Sequence, residues 1–189
     1  MKTVLVPLAP GFEEIETLTT VDILRRAGGR VTLAGTQEGA LKGSRGIHVL
    51  PDDLLENVLN NDFDLVVLPG GQPGTDNLKQ DPRIELILQN RDRNKKLIAA
   101  ICAAPLILQK AGILNNRCIT SHPSVQNELK GVIYTDDRVV VDGHIITSRS
   151  PGTAMEFTLA LVGELVGQEA QRDLAAAMVV AEGPDPTAS

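Results

Sequence analysis

The sequence predicts a doubly wound α/β sandwich, a mostly parallel sheet with helices on both faces. Two observations carry this reading. Apolar segments of strand length alternate with segments of helical periodicity along most of the chain, and the strand segments are continuous apolar runs rather than polar–apolar alternations. Strands of that kind need cover on both faces, which the helices of crossover connections supply.

TVLVPL opens the chain as a β-branched and apolar strand, and EEIETLTTVDILRRAG follows with Ile15, Leu18, Val21, Ile23 and Leu24 at roughly helical spacing. Gly28 and Gly29 end that helix. RVTLAG is the next strand, IHVL a small strand after the turn residues Lys42 to Gly46, and DLLENVLNN a short helix opened by Asp52. DLVVLPGG is a buried strand ending in a glycine pair, and PRIELILQNRDRN a helix with proline at its start. LIAAIC, AAPLILQKAG and RCITSHP give a strand, a helix and a strand. VVVDGHIITS is a hairpin about Asp142 and Gly143, and two helices, GTAMEFTLALVGELVG and EAQRDLAAAMVV, follow it. One domain over residues 1–182 and a disordered tail over 183–189 account for the 189 residues.

Composition removes several function classes. A net charge of −6, from 24 acidic and 18 basic residues, opposes a stable nucleic-acid complex, and with no Trp, one Tyr and three Phe there is no stacking platform for single strands. MKTVLVPLAPGFEE resembles neither a signal peptide nor a transit peptide, and no apolar run reaches membrane-spanning length. Cys102 and Cys118 stand apart with no CxxC spacing, so neither a disulfide framework nor a four-ligand zinc site is expected. The expected compartment is reducing cytoplasm, with no membrane partner. No phosphate loop or GxGxxG motif supports a flavodoxin-like nucleotide binder.

In doubly wound folds ligands collect beyond the carboxyl ends of the strands. Four strand ends here carry unusual residues: Gly11 with Glu13, Glu14 and Glu16 after the first, Gly70 and Gly71 after DLVVLP, Cys102 after LIAAI, and His122 after RCITS. Cys102 stands on a strand-to-helix turn among the small residues Ala100, Ala103 and Ala104, and Pro105 suits the first helical turn. A helix amino end lowers a thiol pKa, and the backbone N–H groups of Gly71 and Ala103 are placed to face an oxyanion. The competing reading makes Cys102 a small apolar core residue. Cys118, inside a strand, is assigned to packing.

Glu16 also has two readings. An ionised carboxylate would oppose a neighbouring thiolate, so a pairing with Cys102 requires one of them to keep a proton. Protonated, Glu16 would donate to the thiolate and serve as acid and base; otherwise it is a solvated first-turn acid like Glu13 and Glu14. His122 either holds its own turn or moves protons. His48 and His144 have no evident partner.

Taken in order, APGFEEIE, RRAG, GSRG, VVLPGG, AAICAAP, SHP and TSRSPGT closely resemble the ThiJ/PfpI superfamily, in the branch of the Parkinsonism-associated deglycase. The resemblance runs from about residue 3 to residue 180. It implies a flavodoxin-like sandwich, usually a homodimer, with Cys102 as nucleophile, Glu16 as its protonated partner, His122 nearby, and the backbones of Gly71 and Ala103, beside Gly70, as oxyanion donors. Arg26 and Arg45 match positions near the pocket and the dimer contact, and the helix from Glu169 to Val180 matches one beside the active-site entrance. Members that build a triad have histidine directly after the cysteine, where this chain has Ala103, so a classical protease is not expected. Animal members of the branch carry cysteines at the positions of Gly43 and Leu50, which leaves redox chemistry mainly to Cys102. Ser150 replaces a glycine common in the last motif.

The activity the resemblance implies is that of a cofactor-free, metal-free cysteine enzyme acting on reactive 2-oxoaldehydes such as methylglyoxal, or on glycated protein or nucleotide, with release of a hydroxy acid. The alternative is a redox-sensing stress protein or chaperone working through oxidation of Cys102.

Overall fold

The computed structural model describes residues 1–180; the tail expected over 183–189 lies outside the described residues. The chain runs β1 (Thr3–Leu8), α1 (Glu14–Arg26), β2 (Arg30–Gly35), β3 (Leu41–Lys42), β4 (His48–Val49), β5 (Asp53–Leu54), α2 (Leu55–Val58) and β6 (Leu65–Leu68). Then come α3 (Gly74–Gln80), α4 (Pro82–Arg93), β7 (Leu97–Ile101), α5 (Pro105–Lys110), β8 (Cys118–Ile119) and β9 (Ile133–Tyr134). The hairpin of β10 (Val139–Asp142) and β11 (Ile145–Ser148) precedes α6 (Ala154–Leu165) and α7 (Gln168–Ala177). Short 3-10 helices cover Pro123–Glu128 and Pro151–Thr153.

Seven strands form the main sheet in the order β10-β11-β7-β6-β1-β2-β5. All neighbours are parallel except β10, which returns antiparallel on β11. This is a flavodoxin-like α/β fold, and its direction of winding reverses between β1 and β6, where such folds open a crevice.

Both faces of the sheet are covered, as the apolar runs require. Leu5, Val66, Leu68, Ile98 and Ala100 face one core with Leu55, Leu78, Ile84, Leu88 and Leu106. The alternate residues Val4, Val6, Leu65, Val67, Ala99 and Ile101 face the other, with Val21, Leu24, Phe157 and Leu161. A sheet with helices on one side only would expose half of these residues, at roughly 1.5–3 kcal/mol for each large one. Arg91 on α4 closes the lower edge: 6% exposed, it donates to the carbonyl oxygens of Phe63, Asp64 and Leu97, and its burial brings its guanidinium down to about 10.

Three sequence expectations are corrected. Asp52 does not open a helix; its carboxylate accepts from the Leu33 N–H and from Arg25, and Leu54 caps the single turn of α2. RCITS is not a strand of the main sheet, because β8 is two residues long and pairs only with β9, and β11 takes the place beside β7. GTDNLKQ, assigned to no element, forms α3. Among the described residues, no helix is long and apolar enough to cross a membrane.

Candidate active site

Three of the expected strand ends meet at the β1/β6 crevice. Beyond β7 the chain turns so sharply that Cys102 takes φ +65, in the left-handed region that side chains other than glycine rarely occupy. The turn is held from both sides: the Cys102 N–H donates to Ser148 O at 3.0 Å, and the His122 N–H donates to Cys102 O at 2.8 Å. The thiol is half-buried and touches both cores. This is an elbow that lifts one side chain out of the sheet.

The first turn of α1 carries three acids with three different tasks. Glu13 caps the helix, its Oε2 accepting the Glu16 N–H at 2.7 Å. Glu14 reaches across to the β3–β4 turn, where its carboxylate accepts from Arg45 N–H at 2.6 Å, Ile47 N–H at 3.3 Å and the Ser44 hydroxyl at 3.2 Å. Burial pushes its pKa up, but the backbone and Ser44 hydrogen bonds outweigh this and hold it below the usual range. Glu16 is 0% exposed, accepts the Gly70 N–H on Oε2 at 2.8 Å, and finds no partner for Oε1 among the described residues. Reading Glu13 and Glu14 as solvated acids is therefore corrected, since both are buried.

Gly70 and Gly71 allow these groups to approach. A Cβ on Gly70 would lie 2.6 Å from Cys102 Cβ and 2.8 Å from Glu16 Oε2, so any side chain there would separate the pair. Gly71, at φ +93, packs against the backbone of Gly11, Phe12 and Glu13, and Gly74 against that of Gly11 and Phe12, all at 2.4–2.7 Å from a would-be Cβ. The loop then enters α3 through a cis Gln72–Pro73 bond.

Charge in this enclosure is settled between two groups. Burial pushes Glu16 up to about 7, helped by the nearby charge of Glu13 and opposed by the Gly70 N–H and the Cys102 thiol. Burial also pushes the Cys102 thiol above its ordinary range, as does the Glu16 charge, while the backbone N–H groups of Ala103 and Gly71 draw it back in part. The expectation that the helix amino end lowers the thiol pKa is thus corrected: α5 starts three residues on and spans six residues, and desolvation outweighs it. Glu16's part of the upward push is removed once Glu16 holds the proton.

A cavity of about 330 Å³ opens over the thiol, lined by Glu13, Ser44, Arg45, Gly71, Gln72, Cys102, Ala103, His122, Ser124, Val125 and Pro151. His122 stands in its wall with Nδ1 turned to the Ser124 hydroxyl at 2.7 Å and the Ser124 N–H at 3.2 Å, so it caps its own 3-10 turn. Arg45 lines the cavity. Arg26 pairs with Asp22 on the exposed face of α1 and is not part of the lining. Cys118 lies elsewhere, its N–H bonded to Asp142. Of the segment from Glu169 to Val180, Leu174, Ala175, Met178 and Val180 pack on the core, where α7 lies against α6, and no residue of α7 lines the cavity. Among the described residues, no group of three or more acids, histidines or cysteines could hold a metal ion.

The DJ-1/PfpI family model matches residues 2–164. The chain belongs to the DJ-1/PfpI family. Within it, this DJ-1/PfpI chain is 45% identical to Protein dj-1beta of Drosophila melanogaster over 183 residues, covering 95% of this chain and 98% of that one. The crystal structure of Drosophila DJ-1beta matches it with a TM-score of 0.93 over 96% of this chain and 99% of that one, at 44% identity. A Caenorhabditis elegans relative named glutathione-independent glyoxalase DJR-1.2 is 39% identical over 176 residues, 92% of this chain and 94% of that one. The structure of oxidized Toxoplasma gondii DJ-1 also has a TM-score of 0.93, at 34% identity, over 96% and 100% of the two chains.

Proposed function

We propose that the protein is a cofactor-independent cysteine enzyme acting on 2-oxoaldehydes such as methylglyoxal and glyoxal, or on their early glycation adducts. The observation that carries this is the pairing of a left-handed Cys102 with a fully buried Glu16 whose carboxyl is held near 7. The glyoxalase name of the nematode relative favours the same chemistry.

In the reaction, the Cys102 sulfur adds to the aldehyde carbon while the Glu16 proton passes to the aldehyde oxygen, giving a hemithioacetal. Glu16, now a carboxylate, takes the former aldehyde hydrogen as a proton and an enediolate forms, its charge on the former ketone oxygen. Returning that proton to the neighbouring carbon, while the hydroxyl proton on the sulfur-bearing carbon passes to the former ketone oxygen, leaves a thioester of the 2-hydroxy acid. Water then cleaves the C–S bond, so methylglyoxal plus water becomes lactate and the thiol is regenerated. The N–H groups of Gly71 and Ala103 stabilise the oxyanions on this path, and His122, in the cavity wall, is proposed to help move protons. Reaction needs one proton shared between Glu16 and Cys102, so the rate rises with pH through about 7 as the doubly protonated pair loses its first proton.

The deciding experiment measures lactate from methylglyoxal with purified, metal-free protein, Cys102→Ser and Cys118→Ser. The expected result is lactate from the parent chain and from Cys118→Ser and none from Cys102→Ser; none from the parent chain overturns the proposal. Glycated peptide or nucleotide offered to the same proteins separates free aldehyde from adduct.

A second reading has Cys102 as a peroxide sensor, in which two equivalents of peroxide convert thiol to sulfinate with release of two waters. The same N–H groups would hold the sulfinate, and the Toxoplasma relative has been solved oxidized. A Glu16→Gln variant that still makes lactate but no longer retains the sulfinate favours this role. Assembly as a homodimer belongs to the same proposal, with the outward residues Ile15, Leu18, Ile47 and Leu50 covered by a second copy.

A further inference from the structure

Glu13 lies in the cavity wall and has no part in the reaction above. It is 8% exposed, and three hydrogen bonds tie it into the catalytic pair: its Oε2 accepts the Glu16 N–H at 2.7 Å, its own N–H donates to Gly70 O at 2.9 Å, and the Gly70 N–H donates to Glu16 Oε2 at 2.8 Å. Glu13, Gly70 and Glu16 thus form a closed circuit beneath the sulfur, and a carboxylate sits in the same water-poor enclosure as a second carboxyl. Like charges in such a site cannot both be expressed cheaply.

We propose that Glu13 is a positioning residue for proton retention: its carboxylate fixes the first turn of α1 so that Glu16 faces Cys102, and its charge keeps the shared proton in the Glu16–Cys102 pair. The inference rests on the proposed function for its purpose, though not for its physics. The other charged groups near the pair are accounted for. Glu14 is turned to the β3–β4 turn, Arg45 of that turn and His122 line the cavity with no ion pair to Glu13 or Glu16 among the described residues, and Arg25 pairs with Asp52 at the far end of α1. From α6 only an uncharged hydroxyl, Thr158, meets Thr20. Of all these, Glu13 alone adds its charge to the burial of Glu16 in favouring the protonated form.

Glu13→Gln separates the two parts of the role, because the Gln carbonyl still accepts the Glu16 N–H while the charge is gone. The protonated Glu16 carbonyl stretch is followed against pH by infrared difference spectroscopy in the parent chain, Glu13→Gln and Glu16→Gln, together with lactate formation. The expected result is a band absent from Glu16→Gln, lost near pH 7 in the parent, and lost on the order of one pH unit lower in Glu13→Gln, with the two melting temperatures alike at pH 5, where Glu16 is protonated in both folded proteins. The rising limb of the rate should move by the same amount. Superimposable titrations of the parent and Glu13→Gln, or a band that persists in Glu16→Gln, overturn the inference. The infrared titration needs no turnover, so a failure of the proposed reaction and a failure of this inference are distinguishable.

Discussion

At the scale of single residues, the strongest prediction concerns Glu16. A carboxyl at about 7 in the folded chain against 4.5 in the unfolded one holds its proton more tightly when folded. Its contribution is therefore fully present below about pH 4.5 and is lost as pH rises through 7, a change of about 3 kcal/mol. Glu16→Gln, neutral at every pH, should melt close to the parent at pH 4.5 and roughly 6–12 °C above it at pH 8. Thermal unfolding of both proteins at the two pH values checks this; a melting difference independent of pH contradicts it. Gly70→Ala places a methyl 2.6 Å from Cys102 Cβ and should cost about 1–3 kcal/mol, read as a lower melting temperature together with loss of lactate formation. Cys102 was legible as an elbow because small residues and a proline bracket it. The tasks of Glu13 and Glu14 were not, since first-turn acids are normally solvated, and Glu14 finds its partners some thirty residues away at Arg45 and Ile47.

At the scale of elements, the long apolar runs reached the page of the sequence intact. β1, β2, β6, β7 and the β10–β11 hairpin follow them closely, and so do α1, α4 and α6. What escaped was short or irregular. α3 starts on glycine, carries Asp76 and Asn77, and buries only one large apolar side chain, Leu78, so it has no amphipathic period to detect. β3, β5, β8 and β9 are two residues long, too short for any alternation. The β3–β4 turn has no core of its own; beyond its internal backbone bonds and the Ser44 N–H on Phe12 O, it rests on the Glu14 carboxylate. Glu14→Ala should release it, with faster hydrogen exchange at the Arg45 and Ile47 amides and a loss of about 2 kcal/mol. Unchanged exchange at both amides would show that another contact holds the turn.

At the scale of the whole molecule, the order of strands follows from connections that no local pattern reveals. The sequence suggested four strand ends at one place, yet only those of β1, β6 and β7 belong to the main sheet; His122 arrives from the small β8–β9 sheet, and its N–H to Cys102 O joins the two. α1 turns Ile15 and Leu18 outward, 56% and 40% exposed, and the hairpin clamped to it presents Ile47 and Leu50. Leu18→Lys should convert the proposed dimer to a monomer in sedimentation at micromolar concentration without changing the circular dichroism, because the site's own bonds lie within one chain. A parent chain already monomeric at that concentration contradicts the homodimer.

The close contacts of Gly11, Gly71 and Gly74 bear on how such a pocket can diversify. A first carbon at any of the three meets main-chain atoms or the Pro73 ring within 2.4–2.7 Å, and main chain cannot step aside as a flexible side chain can. Gly71, which lines the cavity, and the backbone stacked behind it at Gly11 and Gly74 are closed to gradual change. Variation is confined to positions that already extend side chains into the opening, such as Ser44, Arg45, Gln72, Ser124 and Val125. On the proposed function, a selection for new substrates would exchange the rim while leaving Cys102 and Glu16 untouched, so substrate range and chemical power could be altered independently.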